Sequence, residues 1–243
     1  MPFYYYYDWT YLFLLLPALL FSLWASSRVN GTFRKYSQVR TLRGMTGADA
    51  ARAVLLANGV SGVRIEHISG NLTDHYDPKS NVIRLSDSVY AACTPAAVGV
   101  AAHEAGHAVQ YAQNYAPIKI RAAIVKATNL GSRLSMPLVL IGILCMTLPS
   151  LAALSDFFYY VAVVGVLCFG MCVVFQLITL PTEYNASRRA IRAIESSNLL
   201  TEEEQKGAKK VLSAAALTYV AALAVSLTQF LRLLLLVGRR RRD

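Results

Sequence analysis

The sequence predicts a mainly α-helical, polytopic membrane protein with a small cytoplasmic α+β subdomain. Hydrophobic residues make up 55% of its 243 residues and charged residues only 16%, whereas about a quarter of a soluble domain is charged. Several apolar runs approach the ~20 residues that a membrane-spanning helix needs. The polar loop after the first run combines helical periodicity with short β-branched segments, which predicts helices and strands outside the membrane.

The first apolar run covers residues 9–25 and predicts a membrane anchor that is not cleaved. A secretory signal peptide begins with basic residues. This run instead follows four tyrosines and Asp8, and the first basic residue, Arg28, comes after it.

Two further runs, residues 136–154 and 157–180, predict a transmembrane hairpin. The chain has no Lys or Arg between Arg133 and Arg188, and Asp156 alone marks the turn. Two adjacent spans return the chain to the side of the membrane from which it entered.

A fourth apolar segment covers residues 211–237 and is interrupted by Gln229 and Arg232. The segment predicts either a fourth span or a helix that packs partly against the others. Four arginines follow it, at positions 239–242.

The distribution of basic residues predicts the orientation in the plasma membrane. Residues 28–133 hold 13 of the 24 basic residues, residues 188–210 hold six, and residues 1–27 hold none. Because cytoplasmic loops are enriched in Lys and Arg, both long loops are expected in the cytoplasm, with the N-terminus and the Asp156 turn outside. A net charge of +10 is explained in this way, and no nucleic acid is expected as a partner. The arginines at 239–242 conflict with this orientation if the fourth segment spans.

The loop after the anchor predicts a small mixed subdomain. Its β-branched segments are bounded by Gly, Asn, Asp and Ser, and Thr residues occupy the N-cap positions of its helices. The predicted elements are a helix at 46–58, strands at 63–68 and 82–85, a turn at 74–78, and a helix from Pro95 to about Gln113.

The last of these helices carries the motif His103-Glu104-Ala105-Gly106-His107. Residues four apart lie on one face of a helix, so both imidazoles can reach one ion. Glu104 can then accept a proton from water activated by that ion, which is the arrangement of zinc peptidases. Zn²⁺ is therefore the expected cofactor.

Three other interpretations of the motif fit the sequence less well. The histidines could be satisfied core residues, but burying three polar groups in an apolar helix is costly. A di-iron carboxylate site needs a second Glu-x-x-His, which the chain lacks. The metzincin extension is excluded because Gln110 and Gln113 stand where it needs Gly and His. Four cysteines without CxxC spacing predict neither a disulfide framework nor a Cys-zinc site.

A catalytic zinc needs a third protein ligand. Glu183 is favoured because an even number of spans between it and His107 places both on one side. Pro181 predicts that Glu183 lies near the start of a helix at the membrane face. Glu195 is the alternative, and the upstream histidines, His67 and His75, remain open.

Two residues before the second strand are candidates for stabilising an oxyanion. His75 and Tyr76 would lie near the site if the strand at 82–85 bordered the cleft and paired with a substrate peptide. The alternative is that residues 74–78 form only a capped turn.

Several stretches of the chain resemble the YugP-type neutral zinc metallopeptidases, a family of gluzincin-like bacterial membrane enzymes. The matching stretches are 72–78 (LTDHYDP), 83–86 (IRLS), 101–108 (AAHEAGHA), 180–190 (LPTEYNASRRA) and 211–220 (VLSAAALTYV). The resemblance implies a zincin-like subdomain, zinc, proteolysis and a membrane location, and it supports Glu183 as a ligand. Family members commonly have Asp where this chain has Asn185, so the resemblance leaves the role of Asn185 open.

The predicted function is a zinc-dependent endopeptidase that acts on peptides or membrane proteins at the cytoplasmic face of the bilayer. The alternative is a non-catalytic membrane scaffold with a closed metal site, in which His75 would be a fourth ligand. The sequence predicts no oligomeric state. The predicted organisation is an anchor at 1–27, the zincin-like subdomain at 28–133, the hairpin at 134–180, cytoplasmic helices with the third ligand at 181–210, and the fourth segment with its basic tail at 211–243.

Overall fold

The computed structural model describes residues 9–239 and is built mostly of long helices. A π-helical turn, Tyr11–Leu15, precedes the first helix, and a 3-10 helix, Pro149–Leu154, precedes the fifth. The helices are α1 (Leu16–Ser37), α2 (Gly47–Ala57), α3 (Pro95–Ala112), α4 (Ala116–Met146), α5 (Ser155–Ser196) and α6 (Glu202–Arg239). The strands are β1 (Arg64–His67), β2 (His75–Asp77) and β3 (Val82–Leu85).

The chain forms two compact units. Among residues 9–239, the membrane unit comprises the residues up to Trp24, Arg121–Ile178 and the residues from Val220 onward. The sheet unit comprises Ala25–Ile120 and Thr179–Tyr219. Among the described residues, four helices are long and apolar enough to cross a membrane. The prediction of a mainly α, polytopic membrane fold with a small α+β part is confirmed.

The membrane unit has a small core surrounded by outward-facing apolar side chains. Glycines on α4 and α5 allow close helix approach: a Cβ on Gly142 would lie 2.6 Å from the Phe158 carbonyl oxygen, and one on Gly165 would lie 2.8 Å from that of Ser135. Small residues at helix contacts are typical of membrane bundles. The buried core of this unit consists of Val139, Ala162, Val166, Leu233 and Val237.

The hairpin helices extend further than their apolar runs. Pro137 lies inside α4 and Pro181 inside α5. The expectation that Pro181 begins a helix is therefore wrong. Proline removes a backbone donor, and a long helix can continue past it when neighbouring groups satisfy the freed carbonyl. Asp156 lies in the first turn of α5 rather than in the connection.

The fourth apolar segment is part of one continuous helix, α6, and Gln229 and Arg232 do not interrupt it. The Arg232 guanidinium lies over the Tyr11 ring, 5.3 Å from its centroid, and donates to the Gln229 side-chain oxygen at 3.4 Å. This polar pair is thus accommodated within the unit. The four tyrosines that precede the first apolar run and arginines 240–242 lie outside the described residues.

The sheet unit contains a three-stranded sheet in the order β1-β3-β2. β1 runs parallel to β3, and β2 runs antiparallel to it, with Tyr76 opposite Ile83. The segment expected to be only a turn thus contains an edge strand, β2. Because β3 is the central strand, the expectation that its edge is available to a substrate is wrong.

Local hydrogen bonds stabilise the tight connection between β2 and β3. The Asp77 carboxylate accepts hydrogen bonds from the Lys79 backbone N–H at 3.0 Å and the Ser80 hydroxyl at 2.7 Å. Asn81 then adopts a left-handed conformation, with φ of 54°, which Asn tolerates better than most residues. The tight return places His75 to Asp77 against β3.

The helices of the sheet unit start where the sequence predicts. Thr46 and Asp49 form a capping box at α2, and the Thr94 hydroxyl caps α3, which begins with Pro95. α3 is buried along most of its length, and its alanines allow neighbours to pack closely. This buried helix is the one that carries the His-Glu motif.

Candidate metal centre

Two helices bring a cluster of three potential metal ligands together. His103 and His107 lie one turn apart on α3, and Glu183 projects from α5. One Glu183 carboxylate oxygen lies 3.1 Å from His103 Nε2 and 3.4 Å from His107 Nε2. The three ligand atoms all lie within 4.8 Å of one another. Residues 80 positions apart in the chain thus converge at one point.

Gly106 allows this convergence. A Cβ at Gly106 would lie 2.6 Å from the backbone oxygen of Ala186 on α5, which is closer than atoms can approach. Only glycine permits this separation between α3 and α5 without a shift. The glycine inside the motif therefore determines how near Glu183 can come to the imidazoles.

The donor set fits a zinc ion. Two imidazole nitrogens and one carboxylate oxygen are the protein ligands of thermolysin-type catalytic zinc, which keeps a further position open. The side chains are largely buried, with 12% of His103, 11% of His107 and 3% of Glu183 exposed. A buried carboxylate facing two imidazoles without a metal requires a proton to balance its charge.

The electrostatics of His107 reflect this arrangement. Burial lowers its pKa, but the hydrogen bond and the negative charge of Glu183 outweigh burial, so the pKa lies above the usual value. Zn²⁺ would replace that proton as the positive partner of Glu183, because metal ligands bind in their deprotonated forms.

Both imidazoles are oriented through their other ring nitrogen. His103 Nδ1 lies 3.0 Å from the Ser187 hydroxyl oxygen, and His107 Nδ1 lies 3.0 Å from the Gln110 side-chain oxygen. An amide oxygen can only accept, so Nδ1 of His107 carries the proton and Nε2 faces the ligand cluster. Partners of this kind fix the tautomer of metal-binding histidines.

The Gln110 amide is itself fixed by two acceptors. Its nitrogen donates to the Thr182 backbone oxygen at 2.8 Å and to the Asn185 side-chain oxygen at 2.9 Å. Only the NH₂ group can donate to a carbonyl, which leaves the amide oxygen facing His107. Gln110 is fully buried, so it connects α3 to α5 directly behind the ligands.

Asn185 takes part in this network without contacting a histidine. Its oxygen also accepts from Arg189 Nε at 2.7 Å. The Asn185 oxygen therefore helps to hold the amide of Gln110 in place. Sequence reasoning missed the contributions of Gln110 and Ser187. The available signal was their spacing, three residues after His107 and four after Glu183, which places them on the ligand faces of α3 and α5.

Glu104 lies between the two histidines in sequence and is held from the sheet. One of its carboxylate oxygens accepts a hydrogen bond from the Tyr76 backbone N–H at 3.0 Å. β2 thus supplies a donor to the predicted general base. The contact comes from the backbone of β2, which side-chain patterns do not reveal.

The side chains of His75 and Tyr76 are engaged elsewhere. The Tyr76 hydroxyl donates to the Asn81 side-chain oxygen at 2.8 Å, and burial raises its pKa. His75 is exposed, and its Nδ1 lies 2.9 Å from the Thr73 backbone oxygen. Their proposed part in oxyanion stabilisation stays a prediction.

The alternative ligands lie in other pairs. Glu195 forms an ion pair with Lys209, and His67 Nε2 lies 2.7 Å from Asp87 Oδ1. Within residues 9–239, the cluster found at the site consists of His103, His107 and Glu183. The structure thus groups Glu183 with the motif histidines, and Glu195, His67 and His75 do not belong to this cluster.

The fold and the site together define a class: polytopic membrane proteins with a His-His-Glu centre of the kind found in zinc metallopeptidases. Residues 11–238 match the family described as "Putative neutral zinc metallopeptidase", and the chain belongs to this family. The family implies Zn²⁺ as the cofactor.

The chain is also similar to a curated bacterial protein. It is 43% identical over 226 residues to "Putative membrane protease YugP" of Bacillus subtilis (strain 168), and the alignment covers 93% of this chain and 96% of that protein. No solved structure matches the chain.

Proposed function

We propose that this protein is a membrane-embedded zinc endopeptidase that hydrolyses peptide bonds of membrane or membrane-proximal proteins at the cytoplasmic face. The observation that carries the proposal is the convergence of His103, His107 and Glu183 beside Glu104. Membership of a zinc metallopeptidase family supports it.

His103, His107 and Glu183 would hold the zinc ion. When bound, zinc polarises the substrate carbonyl and makes water acidic enough to lose a proton near neutral pH. Glu104 accepts the proton of the attacking water and returns it to the leaving amine. The Tyr76 N–H holds one Glu104 oxygen at 3.0 Å, which leaves the other oxygen to exchange the proton.

The distribution of basic residues supports action at the cytoplasmic face. Residues 28–133 and 188–210 carry 19 of the 24 basic residues. The first segment contains His103, Glu104 and His107, and the second begins five residues after Glu183. An excess of Lys and Arg is typical of cytoplasmic loops. A substrate peptide would therefore approach from the cytoplasm or from the adjoining inner leaflet.

The first experiment measures zinc per chain in detergent-purified protein. We expect about one zinc in the wild type, as one catalytic site requires, and loss of zinc in His103→Ala and in Glu183→Ala. His67→Ala is the matched control, since His67 is exposed and paired with Asp87; it should retain zinc. Retention in Glu183→Ala with loss in His103→Ala would move the third ligand to Glu195 or His75.

Catalysis is tested separately with Glu104→Gln, which keeps the shape of the side chain but removes the base. We expect this variant to retain zinc and to lose cleavage of a peptide mixture analysed by mass spectrometry. Cleavage at the wild-type rate would contradict the assignment of Glu104. If the folded wild type contained no zinc, the non-catalytic scaffold would become the better explanation.

A further inference from the structure

The sheet unit contains a cavity separate from the residues of the metal centre. Its volume is about 640 Å³, and its wall comes from the end of α1, from Tyr184 of α5 and from the first half of α6. None of the four motif and ligand residues lines it. The residues that line the cavity include Arg28, Lys35, Lys210, Tyr184, Ser213 and Leu217.

The cavity has a strongly positive wall. It is lined by three basic side chains, Arg28, Lys35 and Lys210, and its described lining includes no Asp or Glu. Other lysines on α6 are neutralised: Lys206 pairs with Glu203 at 2.6 Å, and Lys209 pairs with Glu195. In contrast, neither Lys35 nor Lys210 has a carboxylate within ion-pair distance in the described part of the chain. Lys35 and Lys210 thus both line one cavity without an ion pair, although the negative charge of Glu203 acts on Lys210 from beyond ion-pair distance. Two positive charges at one cavity favour an anion.

The rest of the wall is suited to a ligand with an apolar portion. Leu217 and the rings of Tyr36 and Tyr184 contribute apolar surface to the cavity wall. Ser213 contributes a hydroxyl group. At Gly31 an added Cβ would meet nothing within 4 Å, so the cavity is open at that residue. A small inorganic anion would leave this apolar wall exposed to water, which disfavours it as the natural occupant.

The cavity lies where the helices change from apolar to basic. On α1 the apolar run ends at Ala25 and Arg28 follows; on α6 Lys209 and Lys210 precede the apolar segment that starts at Val211. Basic residues next to the end of a span attract the phosphates of anionic lipids. The cavity residues thus occupy the chain positions expected at the level of lipid headgroups.

We propose that this cavity binds the phosphate headgroup of an anionic phospholipid. Lys35 and Lys210 contact the phosphate, and Leu217 and the tyrosine rings contact the glycerol and the first carbons of the acyl chains. Free phosphate shares the headgroup chemistry but lacks the part that fits the apolar wall. The site needs no zinc, so its test is independent of the proposed peptidase activity.

The test titrates the full-length, zinc-loaded protein in neutral detergent with phosphatidylglycerol or phosphatidylcholine and measures bound lipid by native mass spectrometry. We expect the wild type to prefer phosphatidylglycerol. Lys35→Gln combined with Lys210→Gln should weaken phosphatidylglycerol binding at least tenfold, roughly the effect of two juxtamembrane lysines. The matched control combines Arg40→Gln with Lys79→Gln, two exposed residues that do not line this cavity. It removes the same charge and should stay within about twofold of wild type, because the attraction between a basic residue and a lipid phosphate falls off with distance.

A second variant tests the cavity by filling it. Gly31→Leu adds a side chain where there is open space, so we expect weaker phosphatidylglycerol binding with unchanged zinc content and thermal midpoint. Equal weakening in the charge-matched control would overturn the proposal, because it would show that net charge alone attracts the lipid. Wild-type affinity in Gly31→Leu, or complete displacement of phosphatidylglycerol by millimolar inorganic phosphate, would also overturn the lipid site.

Discussion

At the scale of single residues, the metal centre depends on side chains that do not touch the metal position. Gln110 accepts from His107 and donates to α5, so its removal leaves a buried imidazole N–H without a partner. We predict that Gln110→Ala lowers zinc affinity about 10- to 100-fold, the usual effect of losing such a contact. Chelator competition on the purified protein measures this directly.

Two variants show whether the effect is specific. Gln110→Glu retains an acceptor for His107 and should recover part of the lost affinity, although it gives up the donor to Thr182 and Asn185. Gln113→Ala removes an exposed amide at the C-cap of the same helix, where its oxygen accepts from Arg189 rather than from a histidine, and it should bind zinc as wild type does. Equal losses in Gln110→Ala and Gln110→Glu would show that packing, rather than the orientation of His107, explains the effect.

The sequence predicted the reactive residues of the site better than their supports. His103, Glu104 and His107 share a motif whose spacing is tied to one helix face. Glu183 could be proposed because an even number of spans returns the chain to the same side. Gln110 and Ser187 carry no motif of their own, and the Tyr76 contact uses a backbone group. The contacts of Gln110 and Ser187 depend on how α3 packs against α5. Sequence patterns do not specify this tertiary packing.

At the scale of elements, the metal centre depends on the short distance between α3 and α5. A Cβ on Gly106 would overlap the Ala186 carbonyl oxygen, so Gly106→Ala must push α5 away and carry Glu183 with it. We predict a loss of about 1–3 kcal/mol in stability, as for other overpacked contacts, together with a loss of bound zinc. Thermal unfolding and zinc content measure the two effects.

Gly99→Ala is the matched control on the same helix. There the added Cβ would lie 3.5 Å from atoms of Ala208, an ordinary contact. Alanine favours a helix by about 1 kcal/mol relative to glycine, so this variant should be at least as stable as wild type and retain zinc. If Gly106→Ala also kept its zinc and stability, α3 and α5 would have to be more adaptable than their spacing indicates.

The β2–β3 hairpin gives a prediction for pH. Hydrogen bonds from the Ser80 hydroxyl and the Lys79 N–H lower the Asp77 pKa from 3.8 to about 2. A carboxyl with a depressed pKa stabilises the fold above its unfolded value and loses that contribution as pH falls through the folded value. We therefore predict that Asp77→Asn lowers the exchange protection of β2 and β3 at pH 6. The difference from wild type should shrink as pH falls from about 4 to about 2.

Hydrogen exchange, corrected for the intrinsic rate at each pH, measures this difference. If the difference in exchange protection between wild type and Asp77→Asn stayed constant down to pH 2, the charge of Asp77 would not be what stabilises the turn. β2 itself escaped sequence prediction because three residues before a proline show too little alternation to be distinguished from a turn. Its position at the sheet edge follows from pairing with β3, which single-sequence patterns do not specify.

At the scale of the whole molecule, apolar runs predicted the number of long helices but not their lengths. α4 begins 20 residues before the predicted start of its span, and α5 continues 16 residues beyond the predicted end of its span. These extensions are polar enough to be read as loops. The extension of α5 belongs to the sheet unit and contributes Ala190, Ala193 and Ile194 to its core, whereas α4 belongs to that unit only up to Ile120. The third-ligand segment is accordingly the end of a hairpin helix rather than a separate one, and the predicted domain boundaries at 134 and 181 fall within α4 and α5.

The orientation of the molecule is the last prediction, and serine-to-cysteine variants in a cysteine-free background test it. Ser69 and Ser197 are exposed in loops on either side of the hairpin in sequence, and Ser150 is exposed between α4 and α5. Because basic residues mark the first two loops as cytoplasmic, a membrane-impermeant maleimide should label only Ser150→Cys in intact cells and all three variants after permeabilisation. If only Ser69→Cys and Ser197→Cys were labelled in intact cells, the hairpin would still place His107 and Glu183 on one side of the membrane. That side would then be the outside. Labelling of Ser197→Cys without Ser69→Cys would contradict the hairpin itself, since an odd number of crossings would then separate the two halves of the metal centre.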